Sequence, residues 1–377
     1  MYEMIDRYIR SLIQKSSPDY TAWNMERVRE GKPANWNYID GCMLTSLLSM
    51  SEITGEKQYA DFVERFVDAF IGEDGSIRTY QPEKCNLDDI NEGRALIPIW
   101  QRTQKEKFRL AADRLKAQLN EQPRTQEGNF WHKKIYPNQV WLDGIYMAQP
   151  FAALYEKTFG QHDYTDIVQQ IQNVRAKMFD PEKGLYYHGY DASRKAFWAD
   201  PVTGRSKSFW LRSIGWFTTA LADLYEIVDD AGAKEELGAI LAELAEGISR
   251  YADPETGMYA QVVDQPEREG NYLETSGSCM IAYAMLKGAR LGVLPKSFAA
   301  LGKKTFDGIV RTKLTTDGES IDLDGICLVA GLGPENNPRR DGTFAYYISE
   351  PVVKNDAKGV APFVMCYTEV IRLTDPA

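Results

Sequence analysis

The sequence predicts an all-α protein, an (α/α)6 barrel in which inner and outer helices alternate around a ring. The first observation behind this prediction is a repeated pattern, in which a small-residue turn and a glycine precede about four turns of apolar, helix-forming sequence. The second is a more charged, amphipathic segment between successive apolar segments, as an outer ring of helices requires. The repeated glycines are Gly41, Gly93, Gly144, Gly215, Gly277 and Gly359.

The inner helices are predicted at the apolar segments, which are hydrophobic nearly all round at their start, as a helix covered on both sides should be. One example is GIYMAQPFAALYEKTFG at 144–160. A seven-residue frame, DPExGxY, also occurs twice, at 180–186 and 253–259. An open helical array has the same self-similarity, so these patterns leave closure of the ring open. The outer helices are predicted near residues 3–14, 57–71, 105–119, 163–178, 232–250 and 296–312.

The connections between the predicted helices differ in length. Those that leave an inner helix are short, whereas those that enter the next one are long, and the long loops must therefore crowd one rim. The N-termini of the inner helices lie at that rim, and their free N–H groups favour anions. Long loops on a rigid scaffold often carry function, so we expect the site there. The long loops cover about 72–88, 120–140, 179–208, 251–272 and 313–356.

Composition and charge restrict the class of protein. The repeat runs along the whole chain and predicts a single domain over residues 1–377. The net charge of -10 argues against nucleic acid as a partner. No apolar run is long enough to cross a membrane, and the N-terminal residues resemble a first helix more than an export signal. Five widely spaced cysteines predict free thiols and a cytoplasmic location, without a metal site.

Acidic residues gather near the repeated glycines. Asp143 directly precedes Gly144, and Asp88 and Asp89 lie one turn before Glu92. Capping of helix N-termini is the simpler explanation for any one of them, but several at one rim point to a site. The remaining acidic residues of this kind are Asp40, which directly precedes Gly41, and Glu274.

Aromatic and basic residues are concentrated in two segments before inner helices, 131–150 and 209–216. Aromatic rings with a few charges suit sugar recognition, because the apolar face of a pyranose stacks on a ring. In the second segment, Arg212 could hold a sugar carboxylate beside Trp210. His132 and His188 fit hydrogen bonding to a substrate. Aromatic residues at helical spacing are also common in cores, so the rings have a structural alternative.

Five segments together resemble the unsaturated rhamnogalacturonyl hydrolases of glycoside hydrolase family 105. The resemblance follows the family order over nearly the whole chain, and its most specific element is the W-x-D-G-x-Y-M-A-x-P-F frame. It implies an (α/α)6 barrel, a cytoplasmic enzyme of pectin breakdown, and a substrate in which unsaturated galacturonic acid is linked to rhamnose. The segments are CNLDDINEGR (85–94), QVWLDGIYMAQPF (139–151), SFWLRSIGW (208–216), LETSGSCMIAYAM (273–285) and GTFAYYISEPVVKNDAKGVAPFV (342–364).

The resemblance also implies roles for individual residues. Asp143 matches the family's catalytic acid, and Asp88 matches its second essential carboxylate. Arg212 and Trp216 match positions around the unsaturated sugar. Weaker matches to substrate-binding positions are His188, Tyr38, Lys133, His132 and Met147. The sequence departs from the family pattern at Leu211, Ser213 and Ile214, which leaves the sugar of the neighbouring subsite open. Neither a cofactor nor a metal is implied, and the expected partner is an acidic oligosaccharide.

The chemistry expected of such an enzyme is hydration of a C4–C5 double bond. One carboxyl, that of Asp143, protonates C4 and then serves as base towards the water that attacks C5. Asp143 must therefore start protonated, although a helix N-terminus favours its anion. We expect Asp88, together with burial under Trp141 and Tyr146, to raise the upper apparent pKa of the carboxylate pair.

Three other functions fit parts of the sequence. An unsaturated glucuronyl hydrolase of glycosaminoglycan fragments would use the same barrel and a similar carboxylate pair. A sugar epimerase would need more histidines at the rim than this chain has, and a non-catalytic sugar-binding protein would give no reason for two carboxylates. Double displacement with the carboxylates about 5 Å apart is a further mechanistic alternative. The sequence does not specify the oligomeric state or whether 313–356 covers the cleft.

Overall fold

The computed structural model describes residues 2–318 and 320–374, and its helices alternate between an inner and an outer ring. Short 3-10 segments, Pro82–Lys84 and Glu92–Ala95, lie before and within the second inner helix. The helices are α1 (Tyr2–Gln14), α2 (Met25–Glu30), α3 (Tyr38–Thr54), α4 (Lys57–Asp68), α5 (Asp88–Asn91), α6 (Leu96–Thr103), α7 (Glu106–Glu121), α8 (Leu142–Phe159), α9 (Thr165–Met178), α10 (Leu211–Ile227), α11 (Ala231–Ser249), α12 (Thr275–Arg290), α13 (Ser297–Lys313), α14 (Phe344–Ile348) and α15 (Ala357–Thr374).

The inner ring closes on itself, which confirms the predicted (α/α)6 barrel. Helix α3, the first inner helix, packs against α15, the last one, and the pairs α8 with α10, α10 with α12, and α12 with α15 complete most of the circuit. The second inner helix consists of α5, a 3-10 turn and α6. The outer helices α1, α4, α7, α9, α11 and α13 agree with the predicted segments to within three residues at each end.

The repeated glycines lie in the first turns of the inner helices and not at their starts. Helix α3 begins at Tyr38, three residues before Gly41, and α8 begins two residues before its glycine. A Cβ atom on Gly41 would lie 2.6 Å from Cα of Glu92 on the neighbouring inner helix. The glycines therefore allow the backbones of adjacent inner helices to approach closely where they enter the barrel.

We expect Gly41→Ala to destabilise the fold by about 1–3 kcal/mol, the usual cost of overpacking a core. The added methyl group would collide with main-chain atoms of Glu92, which cannot rotate away. The measurement is the free energy of unfolding in urea.

Gly232→Ala is the matched control, because Gly232 lies in the outer helix α11 and its added Cβ would meet only a side-chain oxygen at 3.4 Å. This second change should be neutral or slightly stabilising, since alanine favours helix more than glycine does. Equal losses in the two variants would contradict the proposed role of Gly41.

A buried ionic network connects the inner helices. Asp223 of α10 accepts hydrogen bonds from Arg94, Tyr283 and Lys287, each 2.7 Å long. Burial raises the pKa of Asp223, but the charges of Lys287 and Arg94 outweigh burial and lower that pKa to about 2. The carboxylate is therefore ionised inside the barrel, where it joins three inner helices.

Five two-stranded antiparallel ribbons occur in the described part of the chain, and the all-α prediction did not anticipate them. Four of them, β1–β4, β2–β3, β5–β6 and β9–β10, fix the conformation of long loops that enter inner helices. The strands are β1 (Gln139–Trp141), β2 (Phe179–Asp180), β3 (Leu185–Tyr186), β4 (Gly189–Asp191), β5 (Tyr259–Ala260), β6 (Leu273–Glu274), β7 (Leu314–Asp317), β8 (Ser320–Leu323), β9 (Ile326–Cys327) and β10 (Val352–Val353).

The loop at 313–356 folds over one side of the rim. Leu332 packs in a small cluster with Tyr136, Trp141 and Trp198, which belong to two other long loops. The short helix α14 lies in the same loop. This part of the chain therefore forms one wall of the rim, a point that the sequence left open.

All five cysteines are free thiols, as predicted, and every one except Cys85 is buried. Among the residues that the structure describes, none of the helices is both long and apolar enough to cross a membrane.

Candidate active site

Four of the predicted site residues lie in the first turns of inner helices. They are Tyr38 of α3, Asp88 of α5, Asp143 of α8 and Arg212 of α10. All inner helices run in the same direction, so these first turns meet at one rim, the rim with the long loops. The side chains of Asp88 and Asp143 keep 14% and 12% of their surface accessible, so a ligand can reach both carboxylates.

The ribbon formed by β1 and β4 brings His188 to Asp143. Trp141 pairs with Gly189, and the N–H of Leu142 donates to the main-chain oxygen of His188. This register places Nε2 of His188 3.1 Å from Oδ2 of Asp143. Neither of these two atoms has a hydrogen bond to any other group among the described residues. The pair is therefore a local contact between a carboxylate and an imidazole at the helix N-terminus.

Tyr347 of α14 contacts the other side of the His188 ring. Its hydroxyl lies 2.6 Å from Nδ1 of His188, so both ring nitrogens have a polar neighbour. The sequence did not indicate Tyr347 as a site residue. It is 204 positions from Asp143, and no local pattern relates the two.

Asp88 has different partners from Asp143. Nζ of Lys133 lies 2.5 Å from Oδ2 of Asp88, and Nε2 of His132 lies 3.7 Å from Oδ1. Burial lowers the pKa of Lys133, but the charge of Asp88 and the hydrogen bond to it raise that pKa overall. Lys133 is therefore a cation beside the Asp88 side chain. His132 and Lys133, which are both predicted site residues, therefore lie beside Asp88.

Aromatic rings surround the two carboxylates. Trp141 stacks on His132, with ring centroids 4.3 Å apart, and it also stacks on Tyr136, with ring centroids 4.8 Å apart. On the opposite side of His188, Trp210 lies 4.7 Å away and stacks on Tyr347. These rings exclude water from His188, which is fully buried.

Arg212 is held by the protein more firmly than its sequence position suggests. It is 1% exposed, and its Nη1 donates to the main-chain oxygen of Cys327 and, over 3.3 Å, to Ser276. Its guanidinium also lies over the ring of Trp210, 4.8 Å from the ring centroid. One edge of the guanidinium is therefore used for structure, and almost none of the side chain is open to a ligand.

Six of the eight predicted substrate-binding residues are buried, and two of these six, Trp216 and Met147, have mainly structural neighbours. Trp216 is 2% exposed and stacks on Tyr146, with Tyr38 at its edge 6.3 Å away. Met147 is 1% exposed and belongs to the main hydrophobic core. Met147 therefore lies beneath the site, whereas Tyr38 remains half-buried at the rim.

The expected raised pKa of Asp143 is wrong. Burial raises the pKa of Asp143, but the charge of His188 and its contact, with a smaller effect of His132, hold that pKa below its usual value. The charge of Asp88 is not among the main influences, because Lys133 neutralises it nearby. The pKa of Asp89, the residue after Asp88, is raised to about 7 by burial and by repulsion from Asp88.

Two acidic residues at the starts of inner helices are structural. Glu274 caps α12 by accepting from the N–H groups of Ser276 and Gly277. Asp40 is buried and accepts from the indole of Trp23 and the amide of Asn37. Helix capping therefore explains Glu274, and hydrogen bonding within the core explains Asp40.

The described residues contain no group of three His, Cys, Asp or Glu side chains that could hold a metal ion. Burial lowers the pKa of His132 to about 4, against the opposing effect of Asp88. A neutral His132 is consistent with its stacking on the indole of Trp141. The contact between Asp143 and His188 is an arrangement that can carry out proton transfer.

A closed ring of helix pairs, with two accessible carboxylates among aromatic rings at the inner-helix N-termini, fits the class of glycoside hydrolases, which use pairs of carboxyl groups. Comparison with known proteins specifies the family. The model of Glycosyl Hydrolase Family 88 matches residues 8–374, and the chain belongs to this family.

Several individual proteins are similar to this chain. A solved glycoside hydrolase of family 105 from C. acetobutylicum ATCC 824 is 38% identical, with a TM-score of 0.89, over 97% of this chain and 98% of that one. A 24.9 kDa protein of the picA locus of Rhizobium radiobacter is 40% identical over 60% of this chain and 99% of its own length. The unsaturated rhamnogalacturonyl hydrolase YesR of Bacillus subtilis is 24% identical over 71% of this chain and 75% of its own length. The resemblance to family 105 is thereby confirmed.

Proposed function

We propose that this enzyme releases unsaturated galacturonic acid from rhamnogalacturonan oligosaccharides by hydrating the C4–C5 double bond of the terminal sugar. The observation that carries the proposal is the accessible carboxylate of Asp143, in contact with His188 and bordered by aromatic rings. The similarity to YesR of Bacillus subtilis supports rhamnogalacturonan as the source of the substrate.

The reaction begins with proton transfer to carbon. The unsaturated sugar is a vinyl ether, because its C4–C5 double bond is joined to the ring oxygen, and protonation at C4 leaves an oxocarbenium ion at C5. Asp143 delivers this proton and, as a carboxylate, then accepts one from the water that attacks C5. The resulting hemiketal opens and expels the rest of the oligosaccharide. Attack at the anomeric carbon is therefore unnecessary.

Asp88 and Lys133 organise the site without transferring a proton in this scheme. Their ion pair fixes the loop that carries His132, and the Asp88 carboxylate has a second oxygen available for sugar hydroxyl groups. Arg212 and Trp210 are buried beneath the same rim, and Tyr38 lies at the N-terminus of α3. Trp216 is buried beneath this part of the site.

A cytoplasmic location stays a prediction, which the free cysteines favour.

We expect Asp88→Asn to lower kcat about 10- to 100-fold, the effect of losing a charge-assisted hydrogen bond in a partly buried site. Lys133 would lose its charged partner, and the loop that carries His132 would lose one of the contacts that hold it. Steady-state kinetics with the unsaturated disaccharide measure the effect.

Asp89→Asn is the matched control for this variant. Asp89 is adjacent to Asp88, and with a pKa of about 7 it is largely protonated below neutral pH, so the amide resembles its resting state. We expect kcat close to that of the native protein at pH 6. Equal losses in the two variants would contradict a specific role of Asp88.

The proposed function is tested by the loss of ultraviolet absorbance of the conjugated double bond. The purified protein is mixed with a lyase-generated rhamnogalacturonan disaccharide and, in parallel, with an unsaturated chondroitin disaccharide. Loss with the first substrate alone supports the proposal. Loss with the second alone assigns the protein to glycosaminoglycan fragments, and no loss with either overturns the vinyl-ether mechanism.

A further inference from the structure

We propose that Arg340 and Phe197 form a subsite at the opening of the ring that binds a second uronic acid, so that fragments longer than a disaccharide are the preferred substrates. This inference rests on the proposed function and deepens it, since it names the length and charge of the substrate. A longer rhamnogalacturonan fragment carries such a uronate, because galacturonic acid and rhamnose alternate along the polymer.

The loop at 313–356 brings Arg340 to the indole of Trp141. A Cβ atom on Gly331 would lie 3.3 Å from Nη1 of Arg340 and 3.3 Å from two carbon atoms of the Trp141 ring, so the guanidinium lies beside that ring. The N–H of Gly333 donates to the main-chain oxygen of Arg340 over 2.8 Å, which fixes this turn of the loop. Trp141 directly precedes α8, the third inner helix, so Arg340 lies on that side of the rim.

The charge of Arg340 also reaches the opposite side of the ring. Glu26 of α2 pairs over 2.7 Å with Lys358, at the start of the sixth inner helix, α15. Burial raises the pKa of Glu26, but the charge of Lys358 and its hydrogen bond, with smaller effects of Arg212 and Arg340, lower that pKa overall. The third and sixth inner helices face each other across a ring of six. A guanidinium beside Trp141 that also acts on Glu26 therefore lies above the opening, on the route of a saccharide that extends from the two carboxylates.

Arg340 is open to a ligand, unlike three other cations of the rim. Lys133 and Lys358 pair with carboxylates, and Arg212 is buried. Arg340 is partly exposed, and in the described part of the chain it takes part in no ion pair and no side-chain hydrogen bond. Its planar guanidinium can present two parallel N–H groups to one carboxylate. Because the chain has a net charge of -10, a cation of this kind at the opening gives an anionic saccharide a local attraction.

Phe197 supplies an exposed ring next to Arg340. It is 40% exposed, although the following residue, Trp198, is fully buried in the small cluster that contains Trp141. A Cβ atom on Gly333 would lie 3.0 Å from Cζ of Phe197 and 3.3 Å from Cβ of Arg340, so the ring and the cation flank the same glycine. The apolar face of a pyranose can stack on the ring while its carboxylate meets the guanidinium. The pair is therefore suited to an acidic sugar and not to a neutral one.

The test compares two lyase-generated substrates that end in the same unsaturated sugar. The disaccharide has one carboxylate, and the tetrasaccharide has a second one beyond the rhamnose. Loss of ultraviolet absorbance gives kcat/KM for each. We expect the native protein to prefer the tetrasaccharide about tenfold, mainly through a lower KM, which is the usual effect of one hydrogen bond between charged groups. Equal values of kcat/KM for the two substrates would overturn the subsite.

Arg340→Gln should abolish this preference. We expect kcat/KM for the tetrasaccharide to fall about tenfold, to the value for the disaccharide, which is too short to reach Arg340. The matched control is Arg339→Gln, which removes the same charge from the adjacent residue, but Arg339 pairs with Glu350 over 2.8 Å. The control should keep the native preference. A fall of equal size with both substrates in Arg340→Gln, or the same loss of preference in both variants, would contradict the proposed contact.

Phe197→Ala tests the ring separately. We expect kcat/KM for the tetrasaccharide to fall about 3- to 10-fold, the usual effect of losing one stacking contact, with no change for the disaccharide. Val202→Ala is the control, because Val202 is 72% exposed in the same loop and has no aromatic ring. If the two changes have the same effect on the preference, Phe197 is not a stacking platform.

Binding measurements separate this inference from the proposed function. Calorimetric titration of Asp143→Asn, which does not depend on turnover, should give a dissociation constant about tenfold lower for the tetrasaccharide than for the disaccharide, and addition of Arg340→Gln should remove the difference. If the native protein consumes neither substrate, the proposed function fails, while the titration still decides whether Arg340 binds the second uronate. If the native protein consumes both substrates equally well and Asp143→Asn binds both with equal affinity, only the subsite fails.

Discussion

Asp143→Asn is expected to lower kcat at least about 10³-fold, because the carboxyl group acts both as acid towards C4 and as base towards water, and each such role contributes about 10²–10⁴ in rate. The amide has the same shape as the carboxyl and can still contact His188, so the fold and substrate binding should persist. Steady-state kinetics give kcat, and calorimetric titration with the unsaturated disaccharide gives the dissociation constant.

Asp166→Asn is the control for this variant. Asp166 is also an aspartate in the first turn of a helix, but it lies on the outer helix α9, where it pairs with Arg124. It should retain native kcat. Substantial turnover by Asp143→Asn would remove Asp143 from the proposed mechanism, whatever the result for substrate binding.

Asp223→Asn is expected to destabilise the fold by about 3–5 kcal/mol, the usual cost of breaking a buried ion pair by removing one partner. The amide would leave Arg94 and Lys287 as buried cations without their shared counterion. Urea unfolding at pH 7 measures the loss. Because the pKa of Asp223 is lowered to about 2 in the folded protein, its contribution is complete above the ordinary value near 4 and falls as pH drops towards 2.

The control for this second variant is Asp307→Asn. Asp307 pairs with Lys303 one turn away on α13, and both side chains are about one-third exposed. An exposed pair of this kind contributes about 0.3–0.5 kcal/mol. A loss in Asp223→Asn no larger than that in Asp307→Asn would mean that the buried network adds little to stability.

The helical framework could be predicted because its signals are local. Apolar residues at helical spacing located both rings, and the difference in loop length located the functional rim. The closure of the ring was predicted, but it does not follow from the repeat alone, since it depends on contact between α3 and α15 at opposite ends of the described chain. The four-residue strands β7 and β8 and the shorter ribbons were missed, because strands of two to four residues have too little sequence for a pattern.

The candidate site was predicted less completely than the fold. Asp88, Asp143 and Arg212 lie in the first turns of inner helices at one rim, with His132 beside Asp88 and His188 beside Asp143, but the sequence interpretation assigned Asp143 the wrong electrostatic neighbour. The contact between His188 and Asp143 depends on the register of β1 and β4, and the pairing of Asp88 with Lys133 depends on a loop conformation. Neither is encoded in the spacing of residues along the chain.

The wall that contains Tyr347 has a consequence for synthesis on the ribosome. Asp143 is made 204 residues before Tyr347, which corresponds to about 10–40 s of translation. During that interval a nascent chain already carries both carboxylates, yet it lacks the partner of His188 and the closing helix α15. We therefore expect catalytic activity to arise abruptly, once the final hairpin of the ring has left the ribosomal tunnel.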